Sequence, residues 1–346
     1  MTSIYEFDQK DLENYFLSVG DKKFRAVQIL EWLYRHQVSS FDEMTNLSVK
    51  ASNLLKEKFS IEPLNLTLRQ ESKDGTVKYL FTLEDGHLIE TVLMRHPYGN
   101  SVCVTSQVGC NMGCSFCASG ELGKIRNLTH AEMVLQVLHV NRELAKYNER
   151  VTNVVVMGIG EPFDNYTNVI KFLRTLNYPK GFEIGARHIT VSTCGIVPKI
   201  KEFADFELQV NLAISLHAPN NELRSKIMKI NNAYKIEEVL DAVKYYLEKT
   251  NRRVTFEYIL LKGVNDSVEC ANELARLIKG INAYVNLIPY NPVSTKKYLQ
   301  TSHDDSERFF AVLHKNNINA TIRIEHGNDI DAACGQLRAK ELRKKA

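Results

Sequence analysis

No stretch of the 346-residue chain approaches the roughly 18 consecutive apolar residues that would span a membrane. The N-terminus, Met1-Thr-Ser-Ile-Tyr-Glu-Phe-Asp8, lacks the basic start and apolar run of a secretion signal. Both absences predict a cytoplasmic protein with no membrane partner. Strong charge is missing too: the net charge is +3, too mild to mark a nucleic-acid binder by itself. There is no internal repeat and no low-complexity linker. The apolar fraction, 44%, suits an ordinary soluble core.

Against these absences, seven cysteines stand at 103, 110, 114, 117, 194, 270 and 334. The number is odd and three crowd into eight residues, so metal or redox chemistry is expected before a disulfide framework. Basic runs occur at Arg252-Arg253, at Lys124 with Arg126, and in a tail carrying Arg338, Lys340, Arg343, Lys344 and Lys345. They permit RNA binding without demanding it.

The first 60 residues read as helical, with Phe24, Val27, Leu30 and Tyr34 near one helix face. Two Asp-Gly turns, Asp74-Gly75 and Asp85-Gly86, then separate the β-rich runs Val77–Leu83 and Leu88–Met94, the pattern of an antiparallel meander. From residue 101 strands and helices alternate. The expected strands are Ser101–Gln107, Asn153–Met157, His188–Ser192, Gln209–Leu216, Val254–Leu260 and Tyr284–Pro289, with a further one at Ala320–Glu325. A capping box, Thr129-His-Ala-Glu132, opens one of the intervening helices. Six βα units predict an α/β fold with a curved or barrel-like parallel sheet.

Cys110-Asn-Met-Gly-Cys114-Ser-Phe-Cys117 follows the first strand of that series. Structural zinc normally takes four closed ligands and ordinary iron–sulfur clusters take four cysteines. Three thiolates would leave one iron open for a substrate. The spacing, Phe116 and the place after a first strand resemble the radical S-adenosylmethionine superfamily. Further polar groups recur at the predicted C-terminal ends of successive strands, where parallel barrels gather their chemistry. They are Gly158-Ile-Gly160-Glu161-Pro162, Ser192, Ser215-Leu-His217 and Asn291. Gly158-Ile-Gly160 is no dinucleotide fingerprint, because Phe163 stands where a third glycine is required. Its glycines are expected to let backbone approach a ligand.

Beyond the cysteine loop, nearly the whole chain resembles the RlmN/Cfr family of radical S-adenosylmethionine RNA methyltransferases. The resemblance rests on Phe24-Arg-Ala, Glu90-Thr-Val, Ser106-Gln-Val-Gly-Cys110, Met157-Gly-Ile-Gly-Glu-Pro162, Ser215-Leu-His217, Asn286-Leu-Ile-Pro289 and Asp329-Ile-Asp-Ala-Ala-Cys-Gly-Gln-Leu337. The stretch Met157–Asn165, with Pro162, is closer to the RlmN branch.

This resemblance implies a partial (β/α)6 barrel over residues 96–325. A helical and β-meander accessory unit (1–95) would precede it, and a C-terminal extension (326–346) would follow. It implies a 4Fe–4S cluster on Cys110, Cys114 and Cys117, and two S-adenosylmethionine molecules per product. Gly160, Glu161, Ser192, Ser215, Leu216, His217 and Asn291 match the family's S-adenosylmethionine contacts. Cys334 matches the methyl-carrying cysteine, Cys103 the resolving thiol that forms a transient disulfide with it, and Glu90 a proton acceptor. The implied partners are 23S rRNA, tRNA and an electron donor such as flavodoxin or ferredoxin, with a monomeric enzyme. The implied reaction is methylation at carbon-2 of an adenine. Carbon-8 methylation, as in the Cfr branch, and a non-catalytic zinc-stabilised RNA-binding protein are the alternatives. Glu90 shares a strand face with Leu88, Val92 and Met94; burial of that face would raise its pKa and favour proton acceptance. Cys194 and Cys270 match no role and read as small buried hydrophobes.

Overall fold

The computed structural model describes residues 1–120, 123–293, 295–324, 326, 327, 329–331 and 334–345. Its centre is a ten-stranded sheet whose spatial order follows chain order. Strands β1 (Asn65–Glu71), β2 (Val77–Thr82), β3 (Leu88–His96) and β4 (Gly99–Cys103) pair antiparallel. From β4 onward the pairing is parallel, through β5 (Val151–Val156), β6 (Ile189–Thr193), β7 (Asn211–Ser215), β8 (Val254–Leu260), β9 (Ala283–Pro289) and β10 (Ala320–Ile322). The meander is therefore continuous with the parallel sheet, joined where β4 pairs on one edge with β3 and on the other with β5. Of the strand expected at Ala320–Glu325, three residues form β10, and Glu325 lies outside the described residues.

Parallel neighbours need crossovers, and helices supply them. α4 (His130–Ala145), α5 (Tyr166–Asn177), α6 (Val197–Ala204), α7 (Asn221–Ile227), α8 (Ile236–Thr250), α9 (Val268–Leu277) and α10 (His303–Lys315) connect the successive strands. α4 starts at the expected capping box: Thr129 accepts from the Glu132 N–H, and Glu132 accepts from the Thr129 N–H. Val154, Val156, Val191, Leu212, Ile214 and Phe256 exclude solvent completely and share one face by register, so the core runs along that face of the sheet.

α1 (Gln9–Ser18), α2 (Phe24–Tyr34) and α3 (Val49–Lys58) make up the N-terminal helices. In α2 the buried face is Ala26, Ile29, Leu30, Leu33 and Tyr34, while Phe24 is half-exposed. The expected face was thus offset, because apolar residues surround this helix on most sides and packing made the choice. The C-terminal helix α11 (Gln336–Lys345) docks on the meander, with Leu337 packed on Leu80 and Leu88. Among the described residues, no helix is long and apolar enough to cross a membrane.

Candidate active site

The cysteine loop is not a simple strand extension. β4 ends at Cys103, and a separate two-residue strand, Gln107–Val108, pairs with Arg126–Asn127 before the loop begins. Gly109 makes the turn with φ +82°; a Cβ there would lie 1.8 Å from the Gly123 carbonyl oxygen, so only glycine fits. The loop is then anchored from three sides. Cys110 N–H donates to the Gly123 carbonyl (3.2 Å), Ser115 N–H donates to the Ile227 carbonyl (2.9 Å), and Tyr290 hydroxyl donates to the Phe116 carbonyl (3.3 Å). Phe116 also packs edge-on against His217, at 5.2 Å between centroids.

Burial pushes the Cys110 thiol up to about 11 and drives Cys114 and Cys117 upward as well. Three desolvated thiols resist ionising unless a positive centre compensates their charge, which bound iron would do. Among the described residues, no three His, Cys, Asp or Glu side chains converge to hold one metal ion. Three desolvated cysteines presented by one loop are the donor set that would hold a cluster.

Around the loop, the strand ends are tied together by buried polar groups. Glu161 accepts from the Phe163 N–H (3.1 Å) through one oxygen and from the Cys194 N–H (2.8 Å) through the other. Burial raises its pKa. Ser192 and Ser215, on β6 and β7, have hydroxyls 3.3 Å apart. Leu216 and His217 both donate backbone N–H groups to the Glu257 carbonyl. His217 accepts from the Ile259 N–H at Nδ1 (3.0 Å), and burial lowers its pKa to about 3, leaving a neutral ring. The glycines expected to admit a ligand are also required by close packing. A Cβ on Gly158 would lie 2.8 Å from Thr105, and one on Gly160 (φ +110°) would lie 2.6 Å from the Gln107 side chain.

A cavity of about 270 Å³ brings four of the expected residues together: Cys103, Cys117, Asn291 and Cys334. Cys334 is reached by solvent from this cavity, with its Sγ 3.6 Å from the Met157 carbonyl oxygen. Cys103 is buried at the end of β4 and lines the same cavity. The neighbouring Cys103 thiol, with help from the Lys78 charge, lowers the pKa of Cys334 against desolvation; the Cys103 thiol is raised. The expected disulfide between them is absent, both being free thiols. Ala332 and Ala333, just before Cys334, lie outside the described residues.

Glu90 is buried, but not as a bare carboxylate in an apolar pocket. Its Oε2 accepts from the Gly335 N–H (2.8 Å) and lies 2.9 Å from Lys78 Nζ; its Oε1 accepts from the Arg338 N–H (2.5 Å). It thus caps the start of α11, next to Cys334. Cys194 is buried as expected, while Cys270 is only half-buried.

Three groups went unnoticed in the sequence. Lys78 is wholly buried and also donates to the Asp331 carbonyl (2.6 Å). Arg224 is wholly buried and donates to the carbonyls of Cys194 (2.6 Å) and Leu216 (3.2 Å), bracing β6 against β7. Arg323 lines the cavity, with Nη2 3.9 Å from Met94 Sδ. None carries a local signal, since a lysine in a strand or an arginine in a helix normally reads as solvent-facing. Several basic residues suggested for RNA are engaged within the protein: Lys124 pairs with Asp164, Arg126 with Asp85 and Glu132, and Lys340 with Asp331.

The Radical SAM superfamily model matches residues 104–278, and the model of the ribosomal RNA large subunit methyltransferase N-terminal domain matches residues 2–61. A probable dual-specificity RNA methyltransferase RlmN of Spiroplasma citri is 59% identical over 340 residues, covering 98% of each chain. Its counterpart from Enterococcus faecalis is also 59% identical, over 99% of this chain and 97% of its own. The crystal structure of a radical SAM methyltransferase from Sphaerobacter thermophilus superposes with a TM-score of 0.93 at 44% identity, over 97% of this chain and 99% of that one. The fold, the cysteine loop and full-length similarity agree: the chain belongs to the RlmN family of radical S-adenosylmethionine RNA methyltransferases.

Proposed function

We propose that the chain methylates carbon-2 of an adenine in the peptidyl-transferase loop of 23S rRNA and of the adenine 3′ to the anticodon in tRNA. Two S-adenosylmethionine molecules would be used per product. The observation that supports transfer through a cysteine is the pair of free thiols, Cys103 and Cys334, lining one cavity with Cys117; carbon-2 rather than carbon-8 is supported by the stretch Met157–Asn165. The relatives' name, dual-specificity RNA methyltransferase, supports two RNA substrates.

Carbon-2 lies between two ring nitrogens and is too electron-poor to attack a sulfonium methyl. A thiolate can do so, and Cys334 is the cavity cysteine whose pKa is lowered. It would take the first methyl, releasing S-adenosylhomocysteine. Cys110, Cys114 and Cys117 would hold the 4Fe–4S cluster, and Gly160, Glu161, Ser192, Ser215, Leu216, His217 and Asn291 would hold S-adenosylmethionine. Bound there, the cluster supplies the electron that splits a second S-adenosylmethionine into methionine and a 5′-deoxyadenosyl radical.

The methyl on Cys334 would give up a hydrogen to that radical, and the carbon left on Sγ would join carbon-2. Glu90 would accept the carbon-2 proton, and the adduct's unpaired electron would return to the electron-transfer chain that supplied it, leaving a closed-shell thioether between Cys334 and the base. Cys103 would then attack the Cys334 sulfur: a sulfur–sulfur bond forms, the sulfur–carbon bond breaks, and the released carbon leaves with the electron pair and takes up a proton. The disulfide belongs to this step alone, and a cellular thiol must reduce it before the next turnover. A flavodoxin or ferredoxin would supply electrons to the monomeric enzyme in the cytoplasm.

Mass spectrometry of nucleosides from 23S rRNA and tRNA, treated with the purified enzyme, tests the proposal. 2-Methyladenosine in both RNAs is expected; 8-methyladenosine would overturn the site of transfer.

A further inference from the structure

Along β3 the side chains of Glu90, Val92, Met94 and His96 share one face. Val92 and Met94 line the cavity, so that face leads outward to His96, the last residue of the strand. Cys103 lies beside Val92 in the β3–β4 register, next to the cysteine loop; His96 pairs with Gly99 at the other end of the hairpin. This end of the cavity is thus remote from the loop that would hold the cluster.

Three aromatic rings meet there. His96 stacks on Tyr98, with centroids 4.7 Å apart and planes 8° apart. His96 also meets His326 edge-on at 5.0 Å, and His326 is part of the cavity wall. His326 is held in turn, its Nδ1 3.7 Å from Asp74 Oδ2, which also accepts from the Gly327 N–H (2.9 Å). Tyr98 is 70% exposed at the turn, which leaves its far face to solvent. Ile324, 77% exposed, stands on the cavity's edge.

We propose that Tyr98, backed by His96 and His326, is a stacking platform for an unpaired RNA base next to the target adenine. The inference rests on the reading of this cavity as the place where an RNA adenine is modified. An adenine that enters the cavity leaves its own stack, and its neighbours lose a stacking partner. Aromatic rings replace such a partner for any base. Four residues of strand, about 13 Å, separate the level of Cys103 from His96. One base cannot reach both points, so the platform meets a neighbour of the target. Burial lowers the pKa of His96, which favours the neutral ring and suits it to stacking on an uncharged base.

The test is a coupling experiment with a synthetic RNA stem-loop that has the target adenine in its loop. Two companion RNAs carry an abasic site either 5′ or 3′ of it. Tyr98→Ala should weaken binding of the intact RNA on the order of tenfold, and Tyr98→Phe should not. One abasic RNA should bind the wild type equally weakly, with no further loss in Tyr98→Ala, the non-additivity that marks a direct contact. Iron content, Cys334 methylation and thermal unfolding should match the wild type. Unchanged affinity in Tyr98→Ala, or additive losses with both abasic RNAs, would overturn the platform. Wild-type protein that shows the coupling but transfers no methyl would overturn the proposed function and leave the platform standing.

Discussion

Lys78 and Glu90 sit diagonally across the β2–β3 register and form an ion pair of 2.9 Å, with their side chains 0% and 3% exposed. Glu90 passes this anchorage to Gly335 and Arg338, so the pair clamps the segment that presents Cys334. Removing one partner of such a pair leaves a buried charge uncompensated. Lys78→Met is expected to cost about 3–5 kcal/mol, read from urea unfolding, and to raise proteolysis of the C-terminal segment. Adding Glu90→Gln should recover part of the loss. A single variant as stable as the wild type would show that the clamp contributes nothing.

The cysteine loop gives a compositional prediction. Anaerobically prepared protein should contain about four irons and four sulfides per chain. Cys110→Ala, Cys114→Ala or Cys117→Ala should remove them. Gly109→Ala should also lower the iron content, because its Cβ would collide with Gly123. A triple cysteine variant with a full complement of iron would refute the ligand set.

The two cavity thiols should block turnover at different points. Cys103→Ala can load a methyl and couple to RNA but cannot release it, so protein from cells should carry RNA that ribonuclease trims on a denaturing gel. Cys334→Ala should carry none, and the double variant should resemble it. Wild-type turnover in Cys103→Ala, without trapped RNA, would leave Cys103 as a buried strand cysteine.

The same pair sets a pH dependence. The neighbouring Cys103 thiol, aided by the Lys78 and Arg323 charges, lowers the pKa of Cys334. A lower pKa means more thiolate at a given pH. On protein whose Cys334 carries no methyl, the pH profile of iodoacetamide alkylation should therefore move to higher pH in Cys103→Ala. Identical profiles for the two proteins would dismiss Cys103 as a source of that reactivity.

Much of the architecture is local in origin and was legible from the chain alone. The Asp-Gly turns, the capping box at Thr129 and the alternation of strands and helices each depend on neighbours a few residues away. All reappear in the structure. The cysteine loop is equally local, since its spacing and its turning glycine follow from eight or nine consecutive residues. Long-range packing decided the rest. The partners of Glu90 come from 245 and 248 residues away, and Lys78 and Arg224 are buried only because remote carbonyls and carboxylates receive them. The packing demand at Gly158 and Gly160 has the same origin: what a missing side chain makes room for, here Thr105 and Gln107, depends on which segment folds against it. A residue's type and spacing state what chemistry it can offer, but its protonation, partners and access to solvent are properties of the assembled fold.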